Sequence, residues 1–357
     1  HLLMSSYTKM NSLHLATMKQ RVPNSLLSFL TLYQTVFGFK FGCTKVRNIR
    51  FKTAAHWFSI IMGCFMMSAL FLTFTAVPSD TGNGHYWRLI TFVQYIPTFC
   101  ILISMKYTVC EFLADLIVAP DSNRIGLVAW VYTLLMFSLK INGAMLYCSL
   151  TTCTDSSKMV LQFFVHVPML ALDVIPVVNS LMFYHIYTRM RNLKIKLSQR
   201  EITLKQLETE YKAVADSFDK FRGGYDAMFI WGFLTDSPKF MLVMWNYLHS
   251  LKTFKSWLMK SSTYVYAMHA TLQICIPAVF AEMITAQTDG IQMILHEWLV
   301  TEKDTSSPAR TLRYIEARPL LRKAWRLLPL DLRLPTIMLS MCATYLIVII
   351  QFTHLYD

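Results

Sequence analysis

Long apolar stretches are the feature that most constrains the fold of this 357-residue chain. A helix needs about 20 predominantly apolar residues to cross the hydrocarbon core of a bilayer. Stretches of that length occur at 54–77, 87–109, 125–150, 160–187, 225–249, 262–287 and 335–353. Charged residues make up only 15% of the sequence, whereas a soluble domain has about 25%. The sequence therefore predicts an all-α, polytopic membrane protein with seven transmembrane helices.

Lysine and arginine residues in the flanking segments predict the orientation, because cytoplasmic loops of membrane proteins are enriched in both. Residues 1–53 contain eight of them and no acidic residue, 189–224 contain nine, and 302–333 contain eight. The connections at 78–86 and 151–159 contain one between them. We therefore expect the amino terminus inside the cell and the carboxyl terminus outside.

One connection disagrees with this orientation, because Lys252, Lys255 and Lys260 fall on the outer side. The excess of basic residues on the inner side is larger in the rest of the chain, so we keep this orientation. It is the inverse of the arrangement in G-protein-coupled receptors, which disfavours a metabotropic seven-helix receptor. The formal charge of +13 then reflects basic residues that face anionic lipid on the inner leaflet, and it does not indicate nucleic-acid binding.

The spans divide the chain into segments with different expected roles. These are a cytoplasmic N-terminal segment (1–53), transmembrane helices one to four (54–187), a cytoplasmic helical extension (188–224), transmembrane helices five and six (225–287), a cytoplasmic anchor segment (288–334), and a seventh helix with an extracellular C-terminus (335–357). Apolar residues at three- and four-residue steps predict an amphipathic helix at 23–39. Ser198-Gln-Arg-Glu201 has the spacing of a capping box and predicts the start of the extension's helix. Gly223-Gly224 predicts a flexible joint before span five.

A narrow polar stripe runs along the last span. Turn by turn it passes through Thr336, Ser340, Thr344, Ile347 or Val348, and Gln351. If several copies of this helix faced one axis, their stripes would line a water path, and an apolar step between Thr344 and Gln351 would close it by dewetting. The alternative is structural, because Ser and Thr in membrane helices also bond to the carbonyl four residues back or let helices approach closely.

The end of the chain carries a short motif. Thr344-Tyr345, five aliphatic residues and Gln351-Phe352 resemble the TYxxxxxQF signature that ends insect gustatory receptors. Two further stretches agree, namely 23–39 and the run from Arg318-Pro319 to Asp331. The latter, with the terminal sequence QFTHL, is most similar to the butterfly and moth branch associated with bitter plant compounds. The sugar-receptor branch usually has Glu where Leu346 stands here.

This resemblance implies a homotetrameric, ligand-gated, nonselective cation channel in the plasma membrane of sensory neurons, with co-receptors left open. Its seventh helix is expected to be split, with Pro329 and Pro335 at the break, and the cytoplasmic half is expected to join the subunits. The ligand would be a small tastant, a bitter plant compound or alternatively a sugar of the fructose type. The residues expected to form the pore and gate are Ser340, Thr344, Ile347, Val348, Gln351 and Phe352.

Polar and aromatic side chains in the outer halves of the spans suit a pocket for a small amphipathic ligand, in which aromatic walls give area and a few polar groups give direction. Aromatic residues are also common at membrane interfaces for other reasons. The candidate ligand-binding residues are Gln94, Tyr95, Asn142, Phe163, His166, Trp245, Asn246, Tyr264, Tyr266, His269 and Gln273.

Ionisable residues inside the spans are costly unless they are paired or hydrated. Lys140 in span three and Asp173 in span four reach a similar depth when the helices run antiparallel, so we expect an intramembrane charge pair. Asp236 and Lys239, three residues apart on one helix, are expected to neutralise each other. Each of these residues serves either as a clamp within the bundle or as a ligand contact.

The sequence contains no motif or repeat that is typical of an enzyme or a transporter. It contains no phosphate-binding loop, no HExxH motif and no nucleophile elbow, and it shows no internal repeat of the kind found in transporters. We therefore expect neither an enzyme nor a cofactor, and the cysteine spacing indicates no metal site. Cys148 and Cys153 fall on the oxidising side and are candidates for a local disulfide.

Overall fold

The computed structural model describes residues 49–76, 82–104, 122–150, 172–252, 257–301, 305–320, 323–324, 328–329 and 331–354. The helices in these ranges are α1 (Ile49–Ala76), α2 (Gly82–Ser104), α3 (Ser122–Leu150), α4 (Val174–Ser198), α5 (Leu204–Lys252), α6 (Trp257–Thr301), α7 (Ser306–Ala317) and α8 (Arg333–His354). The amphipathic helix predicted at 23–39 lies outside the described residues, and so does the beginning of the predicted fourth span.

The core of the bundle lies between α4, α5 and α6, which contact one another, while α3 packs on α6 and α2 packs on α5. Large side chains fill this core. The ring of Phe183 on α4 contacts the ring of Tyr225 on α5 edge-to-face, with ring centroids 4.9 Å apart. The outer helix α1 packs on α2. Buried apolar surface of this kind is the main stabilising contribution where helices meet.

Apolar side chains also cover outward faces of the bundle. Trp57, Ile61 and Leu72 on α1 and Leu127 and Val131 on α3 are all exposed. Within the described residues, two stretches, Tyr264–Thr301 and Arg333–Phe352, are long and apolar enough to cross a membrane, and shorter apolar helices occupy Ile60–Ala69 and Leu89–Ile101. A surface of this composition suits contact with lipid.

The capping box predicted at Ser198–Glu201 is wrong, because this segment ends α4 and does not begin α5. Ser198 Oγ donates to the carbonyl of Ile195 at 2.8 Å, and Arg200 adopts a left-handed backbone conformation with φ of 55°. The box that starts α5 lies five residues later. The backbone N–H of Thr203 donates to Gln206 Oε1 at 3.0 Å, and the N–H of Gln206 donates to Thr203 Oγ1 at 3.3 Å, which is the reciprocal pattern of a capping box.

The flexible joint predicted at Gly223-Gly224 is also wrong. The cytoplasmic extension and the fifth span form one continuous helix of 49 residues, α5. Glycine in a helix interior costs about 1 kcal/mol relative to alanine, but the flanking side chains of Phe221 and Tyr225 are buried in the core. Tertiary packing therefore keeps the two glycines helical. Helix α6 likewise continues past the predicted boundary at 287 to Thr301.

The predicted break in the seventh helix lies between α7 and α8. A hairpin of two short strands, β1 (Lys323–Ala324) and β2 (Leu328–Pro329), occupies part of this connection. Pro329 lies within it, as expected for a break. Pro335 does not break the chain, because it lies in the first turn of α8, where proline is tolerated since its missing N–H has no intrahelical partner there.

Arg318, immediately after α7, connects α7 to the polar first part of α5. Its Nη2 atom lies 2.6 Å from Asp216 Oδ1 and 2.6 Å from Asp219 Oδ2, and its carbonyl accepts a hydrogen bond from the hydroxyl of Tyr211 at 2.8 Å. The hydrogen bond to Asp219 is the largest of the effects that raise the pKa of Arg318. Burial raises the pKa of Tyr211 to about 12. A cation between two carboxylates thus joins the anchor segment to the bundle.

We expect Arg318→Ala to lower the stability of the folded protein by about 1 kcal/mol at low salt and by less at high salt, because all three charged groups are partly exposed and therefore screened. Thermal unfolding in detergent at two salt concentrations measures this. The control is Arg333→Ala, whose side chain is 86% exposed and lies 4.0 Å from Asp331. Equal effects of the two substitutions would contradict the specific role of Arg318.

Candidate ligand cavity and pore helix

A cavity of about 100 Å³ lies inside the bundle and is lined by residues of α2, α3, α4, α5 and α6. Its apolar wall includes Met228, Phe229 and Phe233 on α5 and Ile274 on α6. Pockets for drug-sized ligands have about 300–1,000 Å³. This cavity therefore suits a compact ligand, and a larger one requires side chains or helices to move apart.

Asp173 is the centre of a polar cluster on one wall of the cavity. It occupies the position before α4, where its carboxylate makes no cap and extends instead to α3 and α6. Lys140 Nζ lies 2.7 Å from Asp173 Oδ1 and 2.9 Å from Oδ2, so the pair predicted from the sequence is in direct contact. Gln273 Nε2 also donates to Asp173 Oδ1, at 3.1 Å. One buried carboxylate thus ties three helices together.

A second polar cluster in the wall of the same cavity joins α2 to α5. Gln94 Nε2 donates to Asp236 Oδ1 at 3.1 Å, and Lys239 Nζ donates to Gln94 Oε1. The Lys239 Nζ atom lies 4.0 Å from Asp236 Oδ1, at the limit of an ion pair. The local neutralisation that the sequence predicted for these two residues is thus mediated in part by the amide of Gln94.

The charges on the described wall of the cavity cancel. Lys140 and Lys239 contribute two positive charges, and Asp173 and Asp236 contribute two negative ones. Each carboxylate has a lysine beside it, as buried charges require. The four charged side chains of the described wall therefore carry no formal net charge together.

Two buried polar atoms on the wall have no hydrogen-bond partner among the described residues, Asn179 Oδ1 and His269 Nε2. His269 Nε2 lies 3.3 Å from Asp173 Oδ1, which is an ion-pair distance, so the carboxylate is its electrostatic partner. Buried polar atoms in folded proteins are nearly always paired. Asn179 Oδ1 is therefore the atom that is available to a molecule inside the cavity.

The structure separates the candidate ligand-binding residues into several groups. Four of them line the cavity: Gln94, Tyr266, His269 and Gln273. Tyr95 is fully buried away from it and stacks on Phe99, with ring centroids 6.1 Å apart. Asn142 and Tyr264 are exposed, and Trp245 is half-buried outside the cavity wall. Phe163, His166 and the side chain of Asn246 lie outside the described residues.

Several cavity residues were not among the sequence candidates. Asn179, Thr98 and the apolar residues of α5 line the wall, and the four charged residues belong to it as well as holding the bundle together. A helical signal for Thr98 was present, since it lies four residues after Gln94 and therefore on the same face. Asn179, one of two amides in the apolar stretch 160–187, was also visible as an exception to the pattern.

The seventh-span helix α8 packs by one stripe only. Its buried residues, Leu334, Met338, Cys342 and Leu346, recur every four residues and face α5 and α6. The predicted polar stripe lies on the other side of the helix. Thr336, Ser340 and Thr344 each follow a buried residue of α8 by two positions, which is a rotation of about 200° around the helix axis. Consistent with this, the predicted pore and gate residues Ser340, Thr344, Ile347, Val348, Gln351 and Phe352 are all exposed in the single chain.

Both readings of the polar stripe have support at Thr344. Its Oγ1 donates to the carbonyl of Ser340 at 2.9 Å, which is the structural use of a hydroxyl in a membrane helix. The same residue is exposed on the face that its own subunit leaves uncovered. The bond orients the hydroxyl along the helix and leaves its oxygen able to accept a bond from outside.

Among the described residues, no cluster of His, Cys, Asp or Glu has an arrangement that could hold a metal ion. The side chain of Cys148 and the whole of Cys153 lie outside them, so the disulfide between these cysteines stays a prediction.

The bundle is therefore an all-helical membrane fold with an internal cavity and an uncovered final helix, and it is similar to that of an insect olfactory receptor. The structure of olfactory receptor OR5 from Machilis hrabei in complex with eugenol matches with a TM-score of 0.69, at 16% identity, over 95% of this chain and 99% of that one. A second structure of the same receptor matches with a TM-score of 0.63 over the same shares. At this identity the likeness establishes the fold. No protein-family model and no curated protein matches the sequence.

Proposed function

We propose that this protein is an insect gustatory receptor, a homotetrameric ligand-gated cation channel with its amino terminus inside the cell. The fold matches an olfactory receptor along almost the whole chain, and the TYxxxxxQF motif ends α8. The observation that carries the proposal is the polar stripe of α8, which faces away from its own subunit. Such a stripe is stable in a membrane only where other protein or water covers it.

Four copies of α8 around one axis would place these stripes toward a shared pore. Thr344, Val348 and Gln351 would line it, Ile347 would contribute to the apolar step, and Phe352 would lie beside or behind the constriction. The stripe carries no charged residue, so no charged ring would select among ions. Weak selectivity follows, and the conduction of cations is what the family resemblance implies.

The packing of α5 and α6 provides a path from ligand to pore. Both helices line the cavity and both contact the buried stripe of α8. A ligand that fits the cavity better in the open state than in the closed state shifts the equilibrium toward the open state. Movement of α5 or α6 around a ligand would displace α8 directly.

The ligand class proposed from the sequence resemblance is a bitter plant compound, detected at the plasma membrane of a sensory neuron. Olfactory receptor OR5 forms a complex with eugenol, which supports a small organic ligand here. A sugar of the fructose type is the second candidate, because two carboxylates and three amides line the cavity and such groups bind hydroxyls.

We expect Gln351→Ala to change single-channel conductance or basal leak without changing surface expression, because the substitution removes the last polar group of the stripe. The control is Ile349→Ala, which lies two residues earlier and therefore on the opposite side of α8. Patch-clamp recording from cells that express only this chain measures both. Unaltered currents in Gln351→Ala would remove this face of α8 from the pore.

Orientation tests the proposal independently. An epitope tag at the amino terminus should be inaccessible to antibody on intact cells and accessible after permeabilisation. A tag that intact cells expose would favour the metabotropic alternative.

A further inference from the structure

Three side-chain nitrogen atoms from two helices converge on one carboxylate oxygen, Asp173 Oδ1. Lys140 Nζ lies 2.7 Å from this oxygen, Gln273 Nε2 lies 3.1 Å from it, and His269 Nε2 lies 3.3 Å from it. Lys140 belongs to α3, whereas His269 and Gln273 lie about one turn apart on α6. Asp173 precedes α4, so its carboxylate holds α3 and α6 against the beginning of α4.

His269 differs from the other two nitrogen donors because the charge of an imidazole changes near neutral pH. Imidazole ordinarily titrates between pH 5 and 8, whereas a glutamine amide does not titrate and a lysine ammonium ordinarily keeps its proton throughout that range. A neutral imidazole offers a carboxylate one neutral hydrogen bond, and an imidazolium adds a full positive charge at the same contact. The contact between α6 and Asp173 therefore strengthens when His269 binds a proton.

Charged and titratable groups from several helices surround His269 in the wall of the cavity. They are Lys140 on α3, Asp173 before α4, Asp236 and Lys239 on α5, and Tyr266 on α6 itself. The two lysines oppose a positive charge on the imidazole, and the two aspartates favour it. The direct contact, at 3.3 Å, is with a carboxylate, and Coulomb energy is largest for the closest pair. Attraction by Asp173 therefore dominates.

The cavity gives protons a route to His269. The side chain is 7% exposed, and it lines the cavity of about 100 Å³. About 10–15 Å³ of such space accommodates one water molecule where polar partners are present. The carboxylates, amides and ammonium groups of the wall are such partners, so water in the cavity can deliver a proton to the imidazole.

We propose that this protein also senses protons, with His269 as the group that binds the proton and Asp173 as its partner. Protonation strengthens the hold of α6 on the beginning of α4. Because α6 also contacts α8, the same event biases the position of the final helix. The effect on α8 rests on the proposed function, whereas the proton-dependent contact between α6 and Asp173 does not.

The pH dependence of thermal unfolding tests this contact without relying on channel activity. The purified full-length chain and the variant His269→Gln are melted in detergent at pH 5.5 and pH 7.5. Glutamine keeps an N–H donor and does not titrate. A proton that the folded state binds more tightly than the unfolded state stabilises the protein at low pH, and this stability is lost as the pH rises. We expect acidification to raise the melting temperature of the unmodified chain by about 1–3 °C more than that of His269→Gln.

His296→Gln is the matched control, because His296 lies on the same helix and its side chain is exposed. The other histidines and the charges of the cavity are the same in this variant and in His269→Gln, so their own titration cancels in the comparison. His296→Gln should respond to acid as the unmodified chain does. In the double variant Lys140→Met with Asp173→Asn the carboxylate is absent, so the additional stabilisation by acid should disappear.

Equal effects of acid on the unmodified chain and on His269→Gln would overturn the proposal, and so would an additional loss of stability in the unmodified chain at pH 5.5. Basal whole-cell currents at the same two external pH values test the effect on α8. We expect the pH to change the current of the unmodified chain at least about threefold more than that of His269→Gln, as for one charged contact.

The two measurements separate the proton site from the channel function. Identical pH responses of the two currents would overturn the effect on α8 and leave the channel in place. A chain that never conducts would contradict the proposed function, while its melting temperatures would still support or overturn the proton site.

Discussion

Replacing Asp173 by Asn is expected to lower the free energy of unfolding by about 3–5 kcal/mol and so to reduce the amount of folded protein. The substitution leaves Lys140 as an uncompensated charge inside the bundle. The lysine loses the negative charge behind its two short contacts, at 2.7 and 2.9 Å. The asparagine amide keeps one acceptor oxygen and replaces the other by an NH2 donor, so Lys140 and Gln273 must share one neutral acceptor. Monodisperse protein recovered after detergent extraction, followed by thermal unfolding, measures the loss.

The double substitution Lys140→Met with Asp173→Asn separates pairing from general disruption. Removing both charges together leaves no buried charge unpaired, so we expect the double variant to recover part of what the single variant loses. Asp219→Asn is a control, since this carboxylate is half-exposed and lies outside the cavity. Strictly additive losses from the two single changes would show that Lys140 and Asp173 do not act as a pair.

Replacing Gly63 by Ala is expected to destabilise the packing of α1 on α2 by about 1–3 kcal/mol, as overpacking does in a filled interior. A Cβ atom at this position would overlap the ring of Phe99. That ring is buried and stacks on the buried ring of Tyr95, so it has little freedom to move. The melting temperature in detergent measures the effect, and the second change Phe99→Leu should restore part of the loss.

Gly290→Ala is the matched control. A Cβ atom there meets only the far end of the Lys194 side chain, which is flexible and can move aside. Alanine gains about 1 kcal/mol over glycine in a helix interior, so this substitution should be neutral or stabilising. If both glycine substitutions were tolerated equally, the close approach of α1 to Phe99 would not contribute to stability.

The sequence by itself was sufficient for features that depend on local spacing. Hydropathy located α1, α2 and α3 to within a few residues of the predicted spans. The period of 3.6 residues was enough to place Thr344 and Gln351 on one face of α8, because helical geometry alone determines which residues share a face. The energetic cost of an unpaired charge in a membrane was enough to predict a pair between Lys140 and Asp173.

Features that depend on long-range packing were decided only by the tertiary structure. Gly223-Gly224 has the local composition of a joint, yet the burial of Phe221 and Tyr225 keeps α5 continuous. The capping box was placed at Ser198 from local spacing alone, and the termination of α4 at Ser198 excludes it there.

The cavity shows the same division most clearly. Gln94 and His269 were recognised as candidates from their residue type and position, and they do line it. Local sequence patterns do not determine the rotation of each of the five helices about its own axis, because that rotation is set by the fit of side chains across the helix contacts. That rotation buries Tyr95, exposes Tyr264 and turns Asn179 toward the cavity. Residue chemistry therefore determined which groups were able to bind a ligand, and the packing of the helices determined which of them do so together.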